Sequence, residues 1–109
     1  MSYSSEGFTG LTHQYHDLIR EHICRGAYKH AERPILINNW EATYFDFNEE
    51  KILKIAEQAQ KLGIEMLVLD DGWFGKRDDD NSGLGDWFVN EKKMNGSMAQ
   101  LAEKIHKMG

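Results

Sequence analysis

Several things are scarce in this sequence, and each scarcity excludes a class. Cysteine occurs once, at Cys24, so no intrachain disulfide can form. A reducing cytoplasm is therefore the expected compartment. Apolar runs last only a few residues, too short for a membrane-spanning helix. The opening stretch, MSYSSEGFTG, has neither the positive flank nor the apolar core of a signal peptide. Lysine and arginine never cluster, and the net charge is −5 at neutral pH, so nucleic acid is not an expected partner. There is no GxSxG, no phosphate-cradling glycine loop and no CxxC. No cofactor and no resident metal are expected. His13 and His16 are three apart, but no cysteine or carboxylate stands at zinc-site spacing around them.

What is present fits one ordinary soluble domain: 109 residues, 40% hydrophobic and 28% charged. Residues 1–10 read as a flexible lead-in. In residues 11–25, Leu11, Tyr15, Leu18, Ile19 and Ile23 lie near helical spacing. Tyr15, Ile19 and Ile23 also share one face at period two, which leaves a strand open; the helix is the preferred reading. Gly26 and the single proline, Pro34, frame a connector.

The rest alternates strand and helix. PILIN, from Pro34, is a short β-branched run of the kind buried on both faces of a parallel sheet. After the loop NWEATYFDF a helix is predicted, capped by Asp46 or Asn48, with Glu49 and Glu50 at the positive end of its dipole. Its apolar stripe is Ile52, Ile55, Ala56, Ala59 and Leu62, and Gly63 stops it. IEMLVL is the second strand. Ser97 and Gln100 form a capping box for a second helix, whose stripe is Met98, Leu101, Ala102, Ile105 and Met108, with Gly109 as its stop. The two units resemble each other: KLG closes one and KMG the other, and NNW follows one strand where DDGW follows the other. A βαβα order predicts a parallel sheet with a helical crossover.

Chemistry concentrates after the strands. IEMLVL runs directly into Asp70 and Asp71, and the long connector to Ser97 carries Trp73 and Trp87 among Asp78, Asp79, Asp80, Asp86 and Glu91. Loops longer than about 15 residues inside compact units are usually functional or disordered. Parallel α/β folds place their sites at such strand ends. The two aspartates suit substrate hydroxyls or a metal; the plainer alternative is a helix cap or loop hydrogen bonding. Each tryptophan stands beside an acid: Trp40 by Glu41, Trp73 by Asp71, Trp87 by Asp86. An aromatic plate takes the C–H face of a sugar ring while carboxylates take its hydroxyls; the alternative is core packing. Asp78, Asp80, Ser82 and Gly83 match the start of an EF-hand loop, but Val89 stands where the bidentate glutamate belongs, so a solvated acidic turn is the better reading.

RPILINNWEATYFDFNEEKI, Arg33 to Ile52, and LVLDDGWFGKRDDDNSGLGDWFVNEKK, Leu67 to Lys93, resemble the catalytic domain of bacterial α-galactosidases of glycoside hydrolase family 36. The resemblance covers about residues 10–109. It implies residues 1–32 as a lead-in and residues 33–109 as the first two βα units, about a quarter, of a (β/α)8 TIM barrel. By that resemblance Asp70 and Asp71 bind galactose hydroxyls, Trp87 lines the same pocket, and Trp40 stands at its mouth; Trp73 joins the expected sugar-binding residues through its place beside Asp71. The family's nucleophile and acid/base aspartates follow its fourth and sixth strands, and neither motif occurs here. Retaining chemistry needs those two carboxyls ~5–5.5 Å apart across the anomeric carbon. So no catalytic residue is assigned, and the chain is expected to carry part of the subsite for α-galactoside sugars without hydrolysing them alone. The alternative is a self-assembling structural piece with no catalytic role. Two apolar strands with open edges also predict a homo-oligomer: a tetramer closing a barrel-like ring by preference, or an edge-paired dimer.

Overall fold

The computed structural model describes residues 1–109, which form two compact units, Met1–Arg33 and Pro34–Gly109. In the first, helix α1 spans Gly7–Leu18 and widens into a π-helical turn over Ile19–Ile23. The helical reading of residues 11–25 holds as far as Ile23. The lead-in is shorter than expected, since Gly7 to Gly10 already belong to α1. Gly10 is the buried residue of this helix, and Phe8, Tyr15, Leu18, Ile19 and Ile23 are exposed.

In the second unit, β1 (Leu36–Asn38) pairs in parallel with β2 (Met66–Val68), with Ile37 opposite Leu67. The ladder extends at its start: the Glu65 and Met66 amides donate to the Ile35 carbonyl at 2.8 and 3.1 Å. Parallel strands need a long crossover connection, usually a helix, and α3 (Glu49–Lys61) provides it. Asn48, not Asp46, caps α3: its side chain accepts from the Lys51 amide at 3.0 Å. Asp46 instead forms an exposed ion pair with Lys51. Past Lys61 the chain reverses through Gly63 at φ 75°, a left-handed conformation that a side chain would strain.

Helix α5 (Met98–His106) has the predicted capping box, with the Gln100 amide donating to Ser97 Oγ at 3.3 Å and the Ser97 amide to Gln100 Oε1 at 3.0 Å. It ends at His106, short of Gly109. Two further short helices occupy segments expected to be loop: α2 (Trp40–Thr43) and α4 (Glu91–Met94).

Phe47, Ile52, Met94 and Leu101 make the core, with Leu53, Ile55, Leu67, Leu69, Trp73, Val89, Met98 and Ile105 packed around it. Of the α3 stripe, Ile52, Ala56 and Ala59 are buried, but Leu62 is exposed. Glu49 locks α3 to α5, accepting from Lys104 Nζ at 2.5 Å and from Asn95 Nδ2 at 3.2 Å. The strands depart most from expectation. Ile35, Leu36 and Met66 are exposed at 60%, 53% and 45%, so the sheet is not covered on both faces. The physical reason is supply: α3 and α5 pack together and offer apolar surface to one side of a two-stranded ribbon only.

Candidate functional site

The C-terminal ends of the two strands hold a polar network. Asn39, fully buried, accepts the Asp70 amide on Oδ1 at 2.8 Å and donates from Nδ2 to Thr43 Oγ1 at 2.9 Å. Asn38 Nδ2 donates to Asp70 Oδ2 at 2.5 Å, and Asn38 Oδ1 accepts the Trp40 amide at 2.8 Å. The NN pair after β1 thus holds the first aspartate after β2. Asp70 Oδ1 also accepts the Asp71 amide at 2.7 Å, a local turn of the kind aspartate favours.

Asp71 is held differently. The Arg77 side chain is buried, and its guanidinium grips the Asp71 carboxylate: Nε lies 3.1 Å from Oδ1 and 3.0 Å from Oδ2, and Nη2 lies 2.8 Å from Oδ2. The Gly72 amide adds a third donor, to Oδ1 at 2.7 Å. Arg77 Nη1 donates to the Ser82 carbonyl at 2.8 Å, and Nη2 reaches Asp80 Oδ1 at 3.2 Å. The guanidinium also sits 5.5 Å from the centre of the Phe45 ring. Hydrogen bonds from Arg77, above all, hold the Asp71 carboxyl below the ordinary carboxylate range; partial burial opposes them, and the Gly72 amide adds to them. The carboxylate is therefore a fixed anion at neutral pH.

The connector after β2 is folded. Phe74 bridges Val89 in antiparallel fashion, the Gly75 amide donates to the Phe88 carbonyl and the Asn90 amide to the Trp73 carbonyl, each at 2.9 Å. Gly75 is required at φ 51°, because a Cβ there would lie 2.9 Å from Asp86 Cβ. This hairpin-like excursion carries Trp87 back against Phe74, with ring centres 4.6 Å apart. An open hollow of about 430 Å³ results, lined by Asp70, Asp71, Trp73, Phe74, Leu84 and Trp87 along with Val68 and Leu69. Trp87 is 65% exposed there, a free aromatic face beside two carboxylates.

Four of the five residues expected at a sugar site meet around that hollow: Asp70, Asp71, Trp73 and Trp87. Trp40 does not line it. Its ring packs edge-on against Tyr44 and Phe45, with centres 5.4 and 4.9 Å away, and it reaches the site only through Asn38. Tyr44, which ends α2, adopts φ 46° and ψ −130°, a conformation rare outside glycine, and its hydroxyl donates to Glu41.

The acidic turn disperses its charges: Asp80 onto Arg77, Asp78 toward Lys93 and Asp79 onto the Asn81 amide. No group of three or more His, Cys, Asp or Glu side chains converges as a metal site would need. Sequence reasoning missed Arg77, Asn38 and Asn39. A signal existed for Arg77, a cation directly ahead of three aspartates six positions from Asp71. A polar pair directly after a strand, matched by another in the repeat, was the signal for the asparagines.

A family model described as Melibiase matches residues 1–109. The chain belongs to that family. It is 57% identical over 109 residues to the bifunctional alpha-galactosidase/sucrose kinase AgaSK of Mediterraneibacter gnavus, covering all of this chain and 12% of that protein. It is also 57% identical to the alpha-galactosidase AgaA of Geobacillus stearothermophilus, of which it covers 15%. The crystal structure of AgaA, a GH36 enzyme, superposes with a TM-score of 0.90 over 100% of this chain and 15% of that one. A variant of AgaA solved in complex with raffinose matches at 56% identity and a TM-score of 0.89, over 98% of this chain and 15% of that one. The chain thus spans about 15% of the length of such relatives. No helix is long and apolar enough to cross a membrane.

Proposed function

We propose that this chain supplies part of the galactose-binding subsite of a retaining α-galactosidase. Residues 33–109 are then the first two βα units of a (β/α)8 barrel, residues 1–32 lead into them, and the working compartment is the cytoplasm. The observation that carries this reading is the meeting of Asp70, Asp71, Trp73 and Trp87 around one hollow at the strands' C-terminal ends. Exposed indole and fixed carboxylate are the pairing that a pyranose needs. Asp70 and Asp71 bind; they are not the nucleophile and acid/base, since binding ground and transition states alike supplies no rate. Full-length relatives carry the remaining parts of the barrel, and this chain alone binds without turnover.

Tryptophan fluorescence and calorimetry with methyl α-galactoside and methyl α-glucoside test this. The expected result is a weak, saturable response to the galactoside, lost in Asp70→Asn, with no release of nitrophenol from an aryl α-galactoside. Equal response to both sugars, or turnover abolished by Asp70→Asn, overturns it.

A second reading is favoured by the exposed Ile35, Leu36 and Met66. Apolar strand edges recruit other strands, so the chain self-associates, into a four-copy ring by preference and an edge-paired dimer otherwise. Light scattering at micromolar concentration decides: a folded monomer removes this reading, and a dimer removes the ring.

A further inference from the structure

We propose that Arg77 is the positioning residue of this site: it acts through Asp71, fixing that carboxylate against the loop and leaving Asp70 with the freer oxygens for a ligand's hydroxyls. This rests on the sugar-site reading above. The observations behind it are geometric. A carboxylate offers about four lone-pair positions. Asp71 takes three N–H donors, two of them from Arg77 with Nε shared between both oxygens, whereas Asp70 takes two, from Asn38 and from the Asp71 amide. Asp70 thus retains acceptor capacity that Asp71 has committed.

The same guanidinium reaches three separate stretches of chain. It binds the strand end at Asp71, the acidic turn at Asp80 and Ser82, and the loop after β1 at Phe45. Neighbouring glycines leave room for it. A Cβ on Gly83 would lie 3.3 Å from Arg77 Cβ, and one on Gly72 would lie 3.3 Å from the Arg77 carbonyl oxygen. A lysine cannot substitute, because a point charge has no planar fork to hold both carboxylate oxygens. Arg77 lines no part of the hollow, so its action on a ligand is indirect.

The test uses the whole chain with Arg77→Lys and Arg77→Gln, and Asp80→Asn as the control for the exposed contact. Two readouts are followed: methyl α-galactoside binding, and the titration of the Asp71 carboxyl carbon by NMR. Arg77→Lys should weaken binding roughly tenfold, the size of one lost charge-assisted contact. It should also move the Asp71 titration up toward its ordinary value, with helix α3 and α5 amide shifts unchanged. Asp80→Asn should alter binding less than twofold. An Asp71 titration that ignores both Arg77 variants overturns the proposal whatever happens to binding. A titration that moves while binding stays within twofold overturns the positioning role. Absence of binding by the unaltered chain overturns the sugar-site reading instead, and the titration still decides whether Arg77 sets the state of Asp71. Should neither variant fold, the unaltered chain decides: the Arg77 Nε–H resonance must follow the Asp71 titration, and a resonance that does not move overturns the proposal.

Discussion

The two strand-to-helix connections solve the same problem with different material. After β1 the chain runs from Asn39 through the short helix α2 to the Asn48 cap, and the Asn39 side chain is spent on Thr43 within the connection and on the Asp70 amide. After β2 it makes a long excursion before the Ser97 cap, folded around one buried arginine. The first connection serves as scaffold, and the second carries Trp87, the aromatic exposed at the hollow. A loop gains freedom to present Trp87 because the asparagines of the other loop already hold the strand end. The two connections therefore differ in build, even though the sequence reads as two similar units.

Four experiments probe that asymmetry. The largest effect belongs to the shared core beneath both connections. Ile52→Ala and Leu101→Ala each remove a buried side chain and should cost about 2–5 kcal/mol in urea unfolding. Unequal costs would show which helix contributes more to the packing, and a loss below about 1 kcal/mol would break the picture of a common core.

Asn39→Ala comes next. It leaves the Asp70 amide without its buried acceptor and should cost about 1–3 kcal/mol. It should also blunt the galactoside response more than Ser82→Ala, which alters only the far loop. The reverse order would mean that the first connection does not support the second.

The caps are smaller. Asn48→Ala and Ser97→Ala should each cost about 1 kcal/mol, since each removes one side-chain acceptor from a helix start while the Ser97 amide keeps its contact with Gln100. Helicity at 222 nm with increasing urea measures both.

The smallest effect is a slope in pH. Asp71 and Glu49 both have carboxyls held below their ordinary values of 3.8 and 4.5, Asp71 chiefly by Arg77 and Glu49 chiefly by Lys104. A depressed folded-state value means that the stabilisation is complete above the ordinary value and fades as pH falls through the folded one. The urea midpoint should be level from pH 7 to about 5.5, then decline below about 4.5. Arg77→Gln should flatten one part of that decline and Lys104→Gln the other. A midpoint that rises on acidification contradicts both pairs.

Much of this was legible because it is local. Periodicity and caps announced α3 and α5: Asn48, Ser97 and Gln100 act within one helical turn of their own positions. Asp70, Asp71 and the tryptophans stood out because carboxylates and indoles at a strand end contradict a purely apolar role. Arg77 was harder, since its importance arises from contacts that only the folded excursion creates. Trp40 was expected at the sugar pocket, and edge packing on Tyr44 and Phe45 turns it elsewhere. Strand burial was misjudged for a related reason. PILIN and IEMLVL report how much cover they want, not how much two helices provide.

Tyr44 has a consequence for anyone altering this protein by selection. Its backbone sits where side chains are disfavoured by about 1–3 kcal/mol, and its ring rests on Trp40 in an arrangement worth about 0.5–1.5 kcal/mol. Glycine at that position would release the first quantity and forfeit the second. A screen for heat resistance should therefore favour glycine there wherever the released strain outweighs the lost aromatic contact, so one bend in the chain is an open route to a steadier protein.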